Sequence, residues 1–130
     1  MMRKAATENA VRWFEIYVQD MDRARRFYEI VLGIELEKLD APDGGLEMWS
    51  FPMSEKLPGA GGALVRMEGV ASSVGGTLVY FGCENCGDEA SRVVAAGGRI
   101  EREKMSIGPY GHIVLAIDSE GNMIGLHSMN

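Results

Sequence analysis

The stretch from Trp13 to Gly33 constrains the fold most, because it reads as a β-strand that runs directly into an amphipathic helix. Its side chains alternate at a period of two, which places Phe14, Ile16 and Val18 on one apolar face. The other face carries Trp13, Glu15 and Tyr17, an unusual set for a solvated surface. Asp20 or Asp22 can cap the helix that follows, and Gly33 supplies a left-handed residue to end it.

The same plan returns in the second half of the chain. Gly97 follows Gly33 by 64 residues, about half of the 130, and is again preceded by a strand and a helix. A repeat of this kind predicts two copies of one structural module. The helices should turn apolar stripes to the core; these are Ala24, Phe27, Tyr28 and Val31, and then Ala90, Val93 and Val94.

Each half reads as a βαβββ module, about 11–69 and 76–128, within a single domain at 11–130 that follows an N-terminal arm at 1–10. The predicted strands are 11–18, 35–39, 46–51, 63–68, 77–83, 99–103, 112–117 and 123–128, and the predicted helices 21–32 and 88–96. Short strands with one helix per half favour an α+β fold. We expect the modules to pair into a cupped mixed sheet with the helices on its outer face, which leaves a concave site for a small molecule.

Composition excludes several classes of partner. The formal net charge of −6 and the scattered basic residues argue against a nucleic-acid partner. No apolar run approaches the roughly 20 residues of a membrane span. The first ten residues lack the apolar segment of a signal peptide, so a cytoplasmic location is expected.

Several segments together resemble the vicinal oxygen chelate superfamily, which includes glyoxalase I, bleomycin-resistance proteins, extradiol dioxygenases and methylmalonyl-CoA epimerase. The resemblance covers about Val11 to Ser128 and implies the same two-module fold. The segments that carry it are Val18–Ala24, Phe27-Tyr28, Leu32-Gly33, Ala96–Gly98 and the closing Asp118–Leu126.

Metal enzymes of this superfamily place His or Glu at four inward strand positions. The resemblance maps these positions onto Trp13, about Ala63, Leu78 and Gly125. None of these side chains offers a lone pair to a divalent cation. The resemblance therefore implies no metal and no other cofactor, and glyoxalase I or extradiol dioxygenase activity is not expected.

Alternation places Glu15 one step from Trp13 and His127 one step from Gly125, on the same faces. The pair could act as acid and base, or hold one divalent metal at a shifted site with Glu47 as a third ligand. Alternatively, both could simply line a binding cavity. The candidate aromatic lining comprises Trp13, Tyr17, Trp49, Phe51, Tyr80 and Tyr110, any of which could instead pack in the core or in a dimer interface.

Cys83 and Cys86 form a CxxC pair between a strand and a helix, a placement that redox centres use. The surrounding pattern is not that of a thioredoxin, and no second CxxC completes a zinc knuckle. Two reduced thiols are the expected state. His112 follows a glycine-rich loop and could be a ligand or a loop-edge imidazole.

Two functions remain open from the sequence. The first is a metal-free protein that binds a small organic molecule, as bleomycin-resistance proteins do. The alternative is a lyase or isomerase in which Glu15 is the general base, with a metal at a shifted site or with other donors to stabilise an enolate. By resemblance to the superfamily, a homodimer is expected.

Overall fold

The computed structural model describes residues 8–41, 45–73 and 75–130. Within these ranges, contacts divide the chain into two compact units, one of Trp13–Leu78 and the other of the residues up to Arg12 together with Val79–Asn130. The elements are β1 (Val11–Tyr17), α1 (Met21–Leu32), β2 (Glu37–Leu39), β3 (Leu46–Ser50), β4 (Gly61–Met67), β5 (Thr77–Gly82), α2 (Cys86–Val93), β6 (Arg99–Ser106), β7 (His112–Ile117) and β8 (Met123–Ser128).

The order of elements is βαβββ in each half, as the sequence predicts. Strand order is β2-β3-β4-β1 in one unit and β5-β8-β7-β6 in the other. β1 pairs with β4 and β5 with β8 in parallel, whereas the remaining pairs within each unit are antiparallel. The predicted α+β class with a mixed sheet is therefore confirmed. The predicted arm at 1–10 and the turn at 41–45 lie largely outside the described residues.

Helix α1 begins and ends where the sequence predicts. The Asp20 side chain accepts a hydrogen bond of 3.0 Å from the Arg23 N–H, which caps the first turn. Gly33 adopts φ 65° and ψ 38°, and its N–H donates to the Glu29 carbonyl. Only a residue without a side chain takes this left-handed conformation at no steric cost, so Gly33 ends the helix.

The face that α1 turns to the core differs from the predicted stripe. Phe27 and Val31 are 58% and 61% exposed, so the prediction that they face the core is wrong. The helix is rotated because two charged side chains are held on its inner side. The Arg25 guanidinium lies 3.6 Å from the centroid of the Trp49 ring, and the Glu29 carboxylate accepts a 2.9 Å hydrogen bond from the Leu36 N–H.

The core of the Trp13–Leu78 unit lies between α1 and one face of its strands. Phe14 and Phe51 pack with ring centroids 5.5 Å apart, and Tyr28 from α1 meets Phe51 edge-on. The predicted apolar face of β1 is therefore the core face. The cluster beneath α1 comprises Ile16, Val18, Met21, Ala24, Tyr28, Ile34, Leu36, Trp49, Phe51 and Leu64.

Helix α2 begins two residues earlier than predicted and ends three earlier. Asn85 caps it, since its side chain accepts a 3.0 Å hydrogen bond from the Gly87 N–H. Val94 follows the last helical residue and is 68% exposed, so its predicted place in the core stripe is wrong. The core beneath α2 comprises Phe81, Cys83, Cys86, Ala90, Ile100, Val114 and Leu126. Neither helix in the described part of the chain is long and apolar enough to cross a membrane.

Candidate functional site

The strand pairing in the Trp13–Leu78 unit defines a second face, opposite α1, which we call the Glu15 face. Glu15 lies beside Ala63 of β4, and Ala63 lies opposite Ser50 of β3. The next row places Tyr17 beside Val65. This face is built from Trp13, Glu15, Tyr17, Leu39, Leu46, Met48, Ser50, Ala63 and Val65. Three of the predicted site residues are therefore brought together.

Glu15 accepts hydrogen bonds from the aromatic side chains on both sides of it. The Trp13 Nε1–H donates to Oε2 at 3.2 Å, and the Tyr17 hydroxyl donates to Oε1 at 2.8 Å. Donors directed at both oxygens stabilise the ionised carboxylate. The arrangement fixes a negative charge between two rings.

The aromatic side chains of this face rest on small residues. A Cβ at Gly61 would lie 2.6 Å from Met53 Sδ, which would have to shift, and 3.5 Å from the Trp13 ring, which is an ordinary contact. Ala63 and Val65 are fully buried or nearly so. A glycine within a strand marks a close approach of neighbouring groups, and Gly61 is the sequence signal on this face, whereas a Cβ at Gly62 would meet the Phe14 ring on the core face.

Glu47 and Trp49 do not share a face with Glu15, which corrects their predicted place beside it. Trp49 lies opposite Leu64, and Leu64 lies beside Ile16, so all three point toward α1. The Trp49 Nε1–H donates to Glu47 Oε2 at 3.1 Å, which repeats the indole–carboxylate pair of β1 on the opposite side. Because strand alternation defines two faces without saying which is inward, only the pairing register separates them.

His127 and Tyr110 contact each other within the Val79–Asn130 unit. His127 lies in β8 opposite Ile113, and its Nε2 is 2.6 Å from the Tyr110 carbonyl oxygen. Its Nδ1 is buried with no hydrogen-bond partner among the described residues. Tyr110 itself is 49% exposed in a short 3₁₀ turn. Acid–base work by His127 with Glu15 stays a prediction.

Tyr80 fills the space above Gly125. The two residues are partners across β5 and β8, and a Cβ at position 125 would overlap the Tyr80 ring. Tyr80 is only 7% exposed. Gly125, one of the four positions mapped onto metal ligands of the superfamily, is therefore covered by an aromatic side chain, and ligand contact by Tyr80 stays a prediction.

The four positions mapped onto metal ligands carry no metal-ligating side chain. Among the described residues, no three His, Cys, Asp or Glu side chains are grouped so that they could hold an ion. At the four mapped positions, Ala63 and Leu78 are buried apolar residues, Trp13 hydrogen-bonds to Glu15, and Gly125 lies under Tyr80. His112 begins β7, and its Nδ1 is buried without a partner in the described part of the chain.

The CxxC pair is placed for packing rather than for thiolate chemistry. Burial, followed by the nearby Glu89 charge, raises the pKa of the Cys83 thiol to about 11. Cys86 is fully buried, and its N–H donates to Ser128 Oγ at 2.9 Å. A reactive cysteine needs a lowered pKa and access to solvent, so these thiols are poorly suited to redox exchange.

Two open clefts lie elsewhere on the Trp13–Leu78 unit. One of about 340 Å³ runs beside Arg66 at the end of β4, and another of about 280 Å³ lies at the start of α1. Glu47 lines the second cleft together with Asp20, Asp22 and Arg66. Glu15, Trp13 and Tyr17 line neither of these two.

Comparisons with known proteins match nearly the whole chain to one family model and many structures. The model for the glyoxalase/bleomycin resistance protein/dioxygenase superfamily matches residues 10–126. No curated protein matches in the sequence comparison.

Among solved structures, methylmalonyl-CoA epimerase from Mycobacterium tuberculosis is similar with a TM-score of 0.67 and 19% identity, over 97% of this chain and 93% of that one. A hypothetical protein from Bacillus halodurans C-125 gives a TM-score of 0.68 at 14% identity, over 92% of this chain and 94% of that one. A Streptomyces coelicolor methylmalonyl-CoA epimerase variant in complex with 2-nitronate-propionyl-CoA gives a TM-score of 0.64 at 17% identity, over 94% of this chain and 98% of that one. At these identities the likeness shows a shared fold.

Proposed function

The chain belongs to the glyoxalase/bleomycin resistance protein/dioxygenase superfamily, and from that premise we propose that it binds a small organic cation on the Glu15 face. The observation that carries the proposal is the Glu15 carboxylate, which is held by the Trp13 indole and the Tyr17 phenol. A fixed negative charge between two aromatic rings suits a ligand that is both flat and positively charged.

The charge of the chain supports a cationic ligand over an anionic one. The net charge is −6, so the long-range field favours the approach of cations. Across the neighbouring strands, Glu15 lies beside Ala63, which lies opposite Ser50, so these two pairing positions are small and uncharged. A ligand amine or ammonium group would donate a hydrogen bond to the carboxylate, while its apolar body covers Trp13 and Tyr17.

The second indole–carboxylate pair supplies a matched control for the test. Binding of N-methylquinolinium and of uncharged quinoline is measured by isothermal titration calorimetry with the wild-type chain, Glu15→Gln and Glu47→Gln. We expect the cation to bind more tightly than quinoline, and Glu15→Gln to weaken only the cation, by about tenfold or more, which corresponds to roughly 1.4 kcal/mol. Equal binding of both compounds, or an equal loss in Glu47→Gln, would reject the proposed site.

A second candidate is an isomerase in which Glu15 removes a proton from a carbon next to a carbonyl. The 2.8 Å hydrogen bond from Tyr17 favours it, because the phenol and the carboxylate could pass one proton between them. The test incubates methylmalonyl-CoA with the protein in D₂O and follows deuterium at the α-carbon by mass spectrometry. Incorporation that Glu15→Gln abolishes and Glu47→Gln preserves would support this activity, and no incorporation above the buffer rate would exclude it for this substrate.

A further inference from the structure

Met53 reaches the Glu15 face, although it belongs to the loop between β3 and β4 rather than to a strand. A Cβ at Gly61 would lie 2.6 Å from Met53 Sδ and 3.5 Å from Trp13 Cζ3. Gly61 is the β4 partner of Trp13, so a side chain at position 61 would point to the same face as the indole. The thioether of Met53 therefore takes up the side-chain space of position 61, beside the Trp13 ring.

The two ends of the Trp13 indole have different chemical neighbours. At one end, the Nε1–H donates to Glu15 Oε2 at 3.2 Å. Cζ3 belongs to the six-membered ring at the other end, and this is the edge that lies beside Met53. A thioether sulfur is favourable at the edge of an aromatic ring, at a distance of about 5 Å. The indole therefore runs from a carboxylate to a thioether.

Backbone hydrogen bonds on both sides of Met53 hold this part of the loop in place. Before it, the Phe51 N–H donates to the Gly62 carbonyl at 2.9 Å, which ties the start of the loop to β4. After it, the Leu57 N–H donates to the Ser54 carbonyl at 3.1 Å and closes a turn. Met53 is 49% exposed, so the side chain is positioned by the loop and is also open to a bound molecule.

We propose that Met53 is the end wall of the ligand site on the Glu15 face and limits the length of the aromatic cation that binds there. This inference rests on the proposed function, because it concerns the same site. A flat cation stacked on Trp13 with its positive nitrogen beside Glu15 extends along the indole toward the thioether. A fused two-ring body matches the two rings of the indole, whereas bulk added at its far end meets Met53. The ligand class is therefore a bicyclic aromatic cation without a large group at the end remote from its charge.

The first test compares two cations that differ only at the end remote from the charge. Isothermal titration calorimetry measures the binding of N-methylquinolinium and of its 6-tert-butyl derivative. Wild type should bind the smaller cation about tenfold more tightly, as expected for a hydrophobic wall that excludes extra carbon atoms. Met53→Ala should abolish this preference. Met67→Ala is the matched control and should keep it, since Met67 is a 41% exposed methionine at the other end of β4.

Glu15→Gln separates the length of the ligand from its charge. It should weaken the binding of both cations by the same factor, so that the preference for the smaller one is unchanged. If Glu15→Gln weakens binding but Met53→Ala leaves the preference intact, the role of Met53 is overturned and the proposed function stands. If neither cation binds saturably to wild type, the proposed function is rejected and this inference with it.

The second test detects the contact itself by NMR, on protein whose methionine methyl groups carry carbon-13. The Met53 resonance is identified as the signal that Met53→Leu removes, and the Met67 resonance is identified in the same way. Saturation of the aromatic protons of N-methylquinolinium should transfer to the Met53 methyl group and not to that of Met67. Equal transfer to both methyl groups, or none to Met53 while the cation is bound, would overturn the assignment of Met53 as the end wall.

Discussion

Tyr17 and Glu15 are two residues apart on one face of β1, and the phenol donates a 2.8 Å hydrogen bond to the carboxylate. Trp13 completes the group from the other side at 3.2 Å. Three side chains from one strand thus form a unit whose geometry depends on the strand's alternation and on the small residues beneath it. The proposed ligand site depends on this unit.

Removing the Tyr17 hydroxyl should cost stability as well as change the site. We expect Tyr17→Phe to lower the free energy of unfolding by about 0.5–1.5 kcal/mol, the usual contribution of one such hydrogen bond. Urea denaturation measures the change. Tyr110→Phe is the control, because Tyr110 is half exposed and should shift stability by less than about 0.5 kcal/mol. Equal effects of the two substitutions would contradict the role given to the Tyr17–Glu15 bond.

The contact between Tyr80 and Gly125 predicts that position 125 tolerates no side chain. Gly125→Ala should lower the free energy of unfolding by about 1–3 kcal/mol, because the new methyl group would overlap the Tyr80 ring. In a Tyr80→Ala background the ring is absent, so Gly125→Ala should lower the free energy of unfolding by clearly less than it does in the wild-type chain. Gly75→Ala is the comparison, since a Cβ at position 75 would lie 3.8 Å from Ser73 Oγ, which is an ordinary contact. Strict additivity would show that the ring does not fill this space.

The turn between β7 and β8 should give an acid-dependent contribution to stability. The Asp118 carboxylate accepts hydrogen bonds from the Asn122 N–H and then the Glu120 N–H, which lower its pKa below the usual value. A lowered folded-state pKa stabilises the fold above the unfolded pKa of about 3.9, and this stabilisation is lost as pH falls through the folded pKa.

Asp118→Ala should therefore lower the Tm at pH 7, and its difference from wild type should shrink below about pH 4. Thermal melts between pH 2 and pH 7 measure it, with the exposed Asp40→Ala as control. If the Tm difference between wild type and Asp118→Ala is as large at pH 2 as at pH 7, the ionised Asp118 carboxylate is not the source of the stabilisation.

Metal content tests the interpretation of the four mapped positions. Protein purified without a chelator or an affinity tag should contain well under one equivalent of transition metal per chain, about 0.1 or less, and EDTA should leave its Tm unchanged. Elemental analysis by mass spectrometry measures the metal content, and a thermal melt measures the effect of EDTA on the Tm. About one tightly held equivalent would contradict the reading and would make Glu15, Glu47, His112 and His127 the candidate ligands.

The sequence predicts which face of a strand meets the core only where one face alone is apolar. On β1 one face is wholly apolar and the other is not, so Glu15 could be placed beside Trp13 and Tyr17 from alternation alone. On β3 both faces carry large apolar residues, so alternation could not decide whether Trp49 or Met48 lies with Glu15. The register with β4 decides it, and register is a tertiary property.

For helix α1 the sequence predicts the ends of the helix but not the face that it turns to the core. Its ends were predictable because Asp20 and Gly33 act locally. Its rotation was not, because Arg25 and Glu29 are fixed on the inner side by contacts with Trp49 and with the backbone at Leu36. The contact between Arg25 and Trp49 joins segments distant in sequence, and the rotation leaves apolar residues on the outer side of the helix.

The most direct test of the proposed site uses the fact that the chain has two tryptophans. In a Trp49→Phe background the remaining indole is Trp13, which hydrogen-bonds to Glu15. N-methylquinolinium should quench its fluorescence saturably, and the added Glu15→Gln substitution should remove saturation while leaving only linear collisional quenching. Saturable quenching that persists unchanged in Glu15→Gln, or its absence when Glu15 is present, would contradict ligand binding at the Glu15 face.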